Sequence, residues 1–405
     1  MKTKYLLVFI CIVALVIIEK ESSIISRVSD KIIQSRAPPL DPHSPLDNSN
    51  TTQNGPLSML KSSRGRKHVL LLARTRTGSS FVGEIFNHHG ENMFYLYEPL
   101  WHVELLLSSA KKYYNDTLLG RLYRDVLWGL FLCDFNPLEK FITPPPEEHV
   151  TAALFRREMS LSLCEDHVCS PFDKEVYEPY RCRTRLCGPL NLTLASESCL
   201  SKQYHAVKTL RVRTLEPLQP LVEDPRLDVR LIQLVRDPRA VLASRIAAFD
   251  DYKVWKAWGL DGQVPEKEVK KLKINCDQIK MSAEVGLSHP QWLRKRYMLV
   301  RYEDIALYPM QKAEDMYRFA GIPFSPQARD WILRNTAQEE GDEYSTGKNS
   351  SEHAEKWRFS MPFTLVQVVQ RVCEPYMKMF GYRIVDDEKT LINQSISLLE
   401  NRQFQ

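Results

Sequence analysis

Read as a pattern of apolar and polar positions, the chain changes character along its length. Residues 5–18 form an uninterrupted apolar run, with Lys2 and Lys4 before it and Glu19, Lys20 and Glu21 after it. The stretch that follows, to residue 66, is polar and carries Pro38, Pro39, Pro42, Pro45 and Pro56 among Asn, Ser and Thr. Such a composition buries too little apolar surface to offset ordering entropy, and it predicts a poorly ordered stem. From residue 67 the pattern alternates between short apolar runs and helical spacing. Residues 69–73 lead into a Thr/Gly/Ser loop, after which Phe81, Val82, Ile85 and Phe86 recur at the interval of a helix. Residues 204–207, 229–235 and 297–300 are further short apolar strands. Continuous rather than alternating apolarity predicts strands covered on both faces, hence an α/β body with a parallel sheet flanked by helices. The stretch between Trp101 and His205 fits that rhythm poorly and reads as an insertion.

The first run is short for a bilayer span, which takes about 20 residues. No small-x-small cleavage site follows it, however, and Golgi-type bilayers are thinner, so it predicts an uncleaved signal anchor. Lysines before the run keep residues 1–4 in the cytosol and send the stem (19–66) and the body (67–405) into the lumen. Two further features suit a lumenal body. Asn50, Asn115, Asn191, Asn349 and Asn393 each open an N-x-[S/T] sequon, the acceptor pattern for glycosylation. Of the nine cysteines, Cys11 lies in the apolar run and an even number is left. Cys164, Cys169, Cys182, Cys187 and Cys199 crowd together, and in an oxidising lumen they predict disulfides whose pairing stays open. Zinc is the rival reading of the two C-x4-C pairs, disfavoured because structural zinc sites prefer C-x2-C.

Composition changes this picture little. At 43% hydrophobic and 26% charged, the chain has the makeup of a globular protein with one large or two modest domains, and neither collagen nor general disorder fits. The net charge of +5 includes clusters at Arg64, Arg66 and Lys67, at Lys270, Lys271 and Lys273, and at Arg294, Lys295 and Arg296. These suit an acidic partner or a solvated surface.

The candidate chemistry stands where the apolar runs end. Arg74, Thr75, Arg76, Thr77, Gly78, Ser79 and Ser80 lie directly between the first strand and its helix. Backbone amides, the helix N-terminus and the hydroxyls of such a loop make a site for a phosphate or sulfate group, and two arginines add charge. An ordinary N-capped helix would explain the same residues. The loop lacks the G-x-x-x-x-G-K-[ST] of nucleotide triphosphatases, which points to a metal-free anion site. A second loop shifts the balance toward ligand binding. Arg236, Asp237, Pro238, Arg239, Ala240, Val241, Leu242, Ala243 and Ser244 again follow a buried strand. Asp237 is placed to cap and Pro238 suits the first helical position, so that Arg236 and Ser244, with Arg239 nearby, converge on one phosphate. Two anion sites at the carboxyl edge of one parallel sheet imply a ligand with anions at both ends. Glu303 and Asp304, after the run 297–300, read either as orienting the loop arginines or, the preferred reading, as caps of the next helix.

A strand followed by R-T-G-S-S-F and, later, R-D-P-R-A-x-x-x-S-R resembles the paired signature of the carbohydrate sulfotransferases. The resemblance is closest to the galactose/N-acetylgalactosamine/N-acetylglucosamine 6-O-sulfotransferases and, within them, to the chondroitin 6-O-sulfotransferase branch. FYLYEPLWHVE (94–104), FITPPPEEH (141–149), EKWRFSMPF (355–363) and IISRVSDK (24–31) carry it. It covers nearly everything from 67 to 385, with one departure at Arg74, where a threonine is expected.

That resemblance implies a P-loop-like sulfotransferase fold and 3′-phosphoadenylyl sulfate (PAPS) as cofactor, without a metal. The first loop would hold the 5′-phosphosulfate and the second the 3′-phosphate. It implies in-line sulfuryl transfer to the 6-hydroxyl of N-acetylgalactosamine in chondroitin, and of galactose in keratan sulfate. The rival within the class is a keratan sulfate galactose or N-acetylglucosamine 6-O-sulfotransferase. From other classes come a non-catalytic lumenal glycan-binding protein and a kinase. Loss of Arg76 or Arg236 would mark the former and G-K-[ST] with a magnesium carboxylate the latter; both arginines are present and the loop has neither kinase feature. Such a sugar hydroxyl needs a base, for which Glu98 is the first candidate and His102 the second, while Arg76 neutralises the departing phosphate. Lys208 reads as facing the cofactor edge or as an exposed lysine. Lys348 and Arg358, with Ser345, Thr346 and Trp357, resemble the loop that closes over the cofactor. Trp101, Trp255 and Trp258 read as sugar-stacking or core residues. The implied partners are a glycosaminoglycan and the Golgi membrane, with no nucleic acid.

Overall fold

The computed structural model describes residues 65–101, 103–104, 107, 116–135, 154–169, 180–182, 186–188, 190–252, 255, 264–336 and 354–404. All belong to one compact unit, Pro56–Gln405. The expected signal anchor and nearly all of the expected stem fall outside the described residues, among which no helix is long and apolar enough to cross a membrane.

Seven strands are present among the described residues: β1 (Lys67–Leu72), β2 (Met93–Tyr97), β3 (Tyr180–Arg181), β4 (Leu186–Cys187), β5 (Tyr204–Thr209), β6 (Val229–Val235) and β7 (Tyr297–Arg301). β3 and β4 make a small antiparallel pair, and the other five form one sheet in the order β2-β5-β1-β6-β7. Every neighbour in that sheet is parallel. The longer helices are α1 (Ser79–Asn87), α2 (Asp116–Phe131), α3 (Leu192–Ser201), α4 (Pro238–Ala248), α5 (Glu266–Leu287), α6 (Tyr302–Leu307), α7 (Pro309–Ala320), α8 (Pro326–Thr336) and α9 (Phe363–Phe380).

The unbroken apolarity of the strands has the expected cause. Side chains alternate across a strand, and both faces here are covered. Leu70, Leu72, Leu96, Val207, Leu231 and Leu299 join a core with α2, α3, α4, α5 and α9. Val69, Leu71, Tyr95, Ala206, Ile232 and Val300 join a second core with α1, α7 and α8. The α/β expectation holds. β2 went unrecognised in the sequence although Met93–Tyr97 is apolar and wholly buried, because it lies close against the segment read as irregular.

The expected insertion is held by sulfur. Cys133–Cys199 ties the end of α2 to α3, while Cys164–Cys182 and Cys169–Cys187 lace one C-x4-C segment to the other. Those bonds use up the thiolates that a zinc ion would need, so the zinc reading is set aside. Cys276–Cys373 joins α5 to α9, and all eight cysteines beyond Cys11 are thereby paired.

Strand order fixes where a ligand goes. The chain leaves β1 toward β2 on one side and leaves β6 toward β7 on the other, so adjacent β1 and β6 form the topological switch point. In open α/β sheets the crevice outside the carboxyl ends of such strands is the binding site.

Candidate active site at the carboxyl edge of the sheet

Both anion loops project from that switch point. After β1, the Thr77 N–H and hydroxyl both donate to the Arg74 carbonyl, at 3.2 and 2.7 Å, and close a turn. Arg76 and Gly78 adopt φ of 69° and 83°, and the chain enters α1 with no side chain capping it. The first-turn amides of α1, which have no helical partner, are thus open to an anion. Only glycine suits position 78, because an added Cβ would lie 2.1 Å from the Tyr302 ring.

After β6, Asp237 caps α4 by accepting the Arg239 N–H at 2.9 Å, with Pro238 in the first turn, as the sequence predicts. Three polar side chains then converge between the loops. Arg236 Nη1 donates to the Arg76 carbonyl at 3.0 Å, and its guanidinium lies 4.6 Å from the centre of the Tyr302 ring. Arg76 Nε donates to Ser244 Oγ at 2.8 Å. Arg236 Nε is buried without a partner. Leaving such a donor unsatisfied is costly, and an acceptor on a ligand would satisfy it.

Glu98 follows β2 at φ 50°, a left-handed conformation that costs a non-glycine residue free energy. Its N–H donates to the Lys208 carbonyl at 3.0 Å. Its Oε1 forms an ion pair with Lys208 Nζ, and that ammonium also lies 3.8 Å from the Tyr97 ring centre. Lys208 is 1% exposed, which overturns its reading as a surface lysine. A lysine inside the otherwise buried strand Tyr204–Thr209 was the available signal. His102 lies outside the described residues.

Residues 66–381 match the sulfotransferase domain family. The chain is 52% identical to carbohydrate sulfotransferase 3 of Homo sapiens, across 99% of this chain and 95% of that protein. It is likewise 52% identical to carbohydrate sulfotransferase 3 of Mus musculus, across 96% and 92%. Against carbohydrate sulfotransferase 1 of Mus musculus the identity is 43%, across 87% and 88%. The chain belongs to the carbohydrate sulfotransferase family.

Membership makes this carbohydrate sulfotransferase an enzyme with PAPS as its sulfate donor. The crevice fits that donor: an uncapped helix N-terminus, two arginines at the switch point, one of them with an unsatisfied buried N–H, and a serine hydroxyl beside them.

Other expected site residues take different roles. Arg239, 0% exposed, forks onto both Asp237 oxygens, donates to Gln370 Oε1 at 2.8 Å and stacks on Trp357. Its donors are engaged inside the protein, so it braces the second loop instead of meeting the phosphate. Arg358 is corrected in the same way: its N–H groups go to the carbonyls of Leu391, Asn393 and Ile396 and to Glu355. Ala240 and Leu242 are core residues, and Val241 and Ala243 continue the wall of α4. Arg74 turns out of the loop toward the Arg213 carbonyl and Gln278. Thr75 presents its carbonyl to Arg245, while Ser80 Oγ meets the Tyr97 hydroxyl at 2.9 Å and Ser79 is buried.

Glu303 and Asp304 do not cap α6. Asp304 pairs with Arg301, whereas Glu303 accepts the Asp237 N–H at 2.9 Å and the Tyr382 hydroxyl at 3.0 Å. Glu303 therefore anchors the second loop from below, and burial, followed by the Asp237 charge, pushes its carboxyl up to about 7. Trp255 is buried, as a core residue would be. Among the sequons, Asn191 and Asn393 are exposed; Asn191 caps α3 and Asn393 Oδ1 accepts from Ser395. Asn50, Asn115, Asn349 and Lys348 lie outside the described residues.

Proposed function

We propose that this carbohydrate sulfotransferase transfers the sulfuryl group of PAPS to the 6-hydroxyl of N-acetylgalactosamine in chondroitin, with galactose in keratan sulfate as a second acceptor. The observation that carries the reaction is the buried Glu98–Lys208 pair at the carboxyl ends of β2 and β5, on the same sheet edge as the joined Arg76, Ser244 and Arg236. The family stretches around Glu98 and the similarity to carbohydrate sulfotransferase 3 support the acceptor. When bound, the donor supplies an activated sulfuryl group. Glu98 takes the proton from the attacking sugar hydroxyl as the new S–O bond forms and the bond to the phosphate oxygen breaks. Lys208 fixes the position of that carboxylate. The charge left on the phosphate oxygen meets the Arg76 guanidinium and the α1 amides. Arg236 and Ser244 hold the 3′-phosphate. No metal takes part in this reading: Ser79 follows Gly78 where nucleotide triphosphatases place their lysine, and the charge of Arg76 and Arg236 stands in for a cation at the anion.

In the same reading, residues 5–18 anchor the protein in the Golgi membrane as a single-pass type II chain, and the body from 67 works in the lumen. The sequons and the disulfides support that compartment.

Incubation of the full-length enzyme with radiolabelled PAPS and a panel of chondroitin, keratan and desulfated heparan, followed by disaccharide mapping, tests the acceptor. Label on the 6-position of N-acetylgalactosamine is expected, in EDTA as well as without it. Label confined to keratan would transfer the assignment to the rival branch, and activity abolished by EDTA and restored by magnesium would refute the metal-free mechanism.

A further inference from the structure

Beside the reaction crevice, on the α5 side of the first loop, lies a cavity of about 410 Å³. Its walls are built from neighbours of the reactive groups. Thr75 precedes Arg76, Arg245 follows Ser244, and Arg211 comes shortly after Lys208 on the same strand exit. The cavity is therefore lined by residues that flank Arg76, Ser244 and Lys208 in the chain, although those three side chains do not themselves line it.

The lining is strongly basic, with Arg74, Arg211, Arg213, Arg245 and Lys271 against a single acidic wall residue, Glu104, among the described residues. Three of these cations already have carboxylate partners. Arg211 pairs with Glu104 at 2.7 Å, Arg213 with Asp116 at 3.0 Å and Lys271 with Glu268 at 2.6 Å. Arg74 and Arg245 reach only neutral acceptors, all at long range. Arg74 donates to the Arg213 carbonyl and Gln278 Oε1, both at 3.3 Å. Arg245 donates to the Thr75 carbonyl at 3.3 and 3.4 Å and to the Tyr252 hydroxyl at 3.2 Å. Two guanidinium groups thus face one hollow without a carboxylate hydrogen-bonded to either, Asp116 acting on Arg74 only through space, and an incoming anion would relieve their mutual repulsion. Burial and then the charges of Arg213 and Arg245 pull Arg74 down to about 10, which agrees with that strain.

The donor has its own anion sites in the two loops. The anion for this cavity must therefore belong to the other reactant. We infer that the cavity is a subsite for an acidic substituent of the acceptor chain, received by Arg74 and Arg245. This rests on the glycan-sulfating reading above and deepens it. A uronate carboxylate next to the accepting sugar, or a sulfate ester already on the chain, presents the planar or trigonal oxygen pattern that a guanidinium fork binds bidentately. Chondroitin carries such a carboxylate in every disaccharide, whereas the unsulfated keratan backbone carries none. Arg74, at the position where the family pattern leads one to expect threonine, becomes a residue that sets acceptor specificity.

The test compares full-length wild type with Arg74→Gln and Arg74→Lys on unsulfated chondroitin, carboxyl-reduced chondroitin, 4-O-sulfated chondroitin and desulfated keratan, with separate KM values for acceptor and PAPS. Arg74→Gln is expected to raise the chondroitin KM about ten- to a hundredfold while the PAPS KM moves less than about threefold, and Arg74→Lys to recover part of the loss. Carboxyl reduction should cost the wild type a similar factor. The two losses should not multiply when combined, since they remove the same contact. If carboxyl reduction is harmless but 4-O-sulfation strengthens binding in wild type and not in Arg74→Gln, the anion is the ester. The inference fails if wild type is indifferent to both substituents, an arm that needs no variant to fold, or if Arg74→Gln shifts the PAPS KM instead. Wild type that sulfates none of the glycans would refute the proposed function itself, and the subsite with it.

Discussion

Glu98 holds an unfavourable backbone conformation, φ 50°, because three interactions fix it: the ladder bond to the Lys208 carbonyl, the ion pair with the Lys208 ammonium and the close packing at the sheet edge. Glu98→Gln keeps the shape and loses the base, so kcat is expected to fall by about two to four orders of magnitude with donor affinity nearly constant. Arg236→Ala should do the opposite, raising the PAPS KM far more than the acceptor KM, since a charged hydrogen bond is worth about 1.5 to 3 kcal/mol. Steady-state kinetics on both substrates separates the two, and retained activity in Glu98→Gln would remove that residue from the base role. Glu303 gives a pH signature. Its carboxyl, about 7 in the fold against an ordinary 4.5, binds its proton more tightly folded than unfolded. The stability it contributes is therefore full below about pH 4.5 and is lost as pH rises to about 7. Urea unfolding across that window should show Glu303→Gln gaining on wild type as pH rises and holding level above 7. A constant difference would contradict the assignment.

At the scale of elements, the decisive unit is strand, loop, helix, used twice at the switch point. The first copy depends on Gly78, where a positive φ of 83° coincides with the Tyr302 ring standing where a Cβ would be. Gly78→Ala must move either the loop or the ring on which Arg236 stacks. It is expected to lower stability by about 1 to 3 kcal/mol and to weaken PAPS binding at least tenfold, measurable by thermal unfolding with and without 3′-phosphoadenosine 5′-phosphate. A variant with normal binding would mean that the loop tolerates the crowding. The second copy was legible in the sequence down to its cap, since Asp237 and Pro238 sit where local helix chemistry requires. β2 was not legible as a strand, although its five apolar residues are the right length, because nothing local marked its pairing with β5.

Across the whole molecule, the disulfides add covalent ties between elements, some of which also share a core. Cys276–Cys373 spans a sequence separation of 97 and ties the α5 wall of the basic cavity to α9, which carries Gln370. Closing so long a loop restricts the unfolded chain, and on that model Cys276→Ser with Cys373→Ser should cost up to about 4.7 kcal/mol. Calorimetry on the double variant should show a lower Tm. An unchanged Tm would mean that packing between α5 and α9 suffices.

The sequence by itself determined the α/β class, the position of both anion loops and the presence of disulfides, because each follows from patterns that close within one strand, one turn or one short spacing. The tertiary structure decided what the side chains of those loops touch. Arg236 and Arg239 stand three positions apart in one motif, yet Arg236 meets the Arg76 carbonyl and Arg239 is captured by Asp237 and by Gln370, 131 residues away. The partner of Glu98 is 110 residues distant, and the acceptor of Arg76 is Ser244, 168 residues on. Contacts of that range depend on how the sheet orders its strands, and no local period in the chain encodes that order.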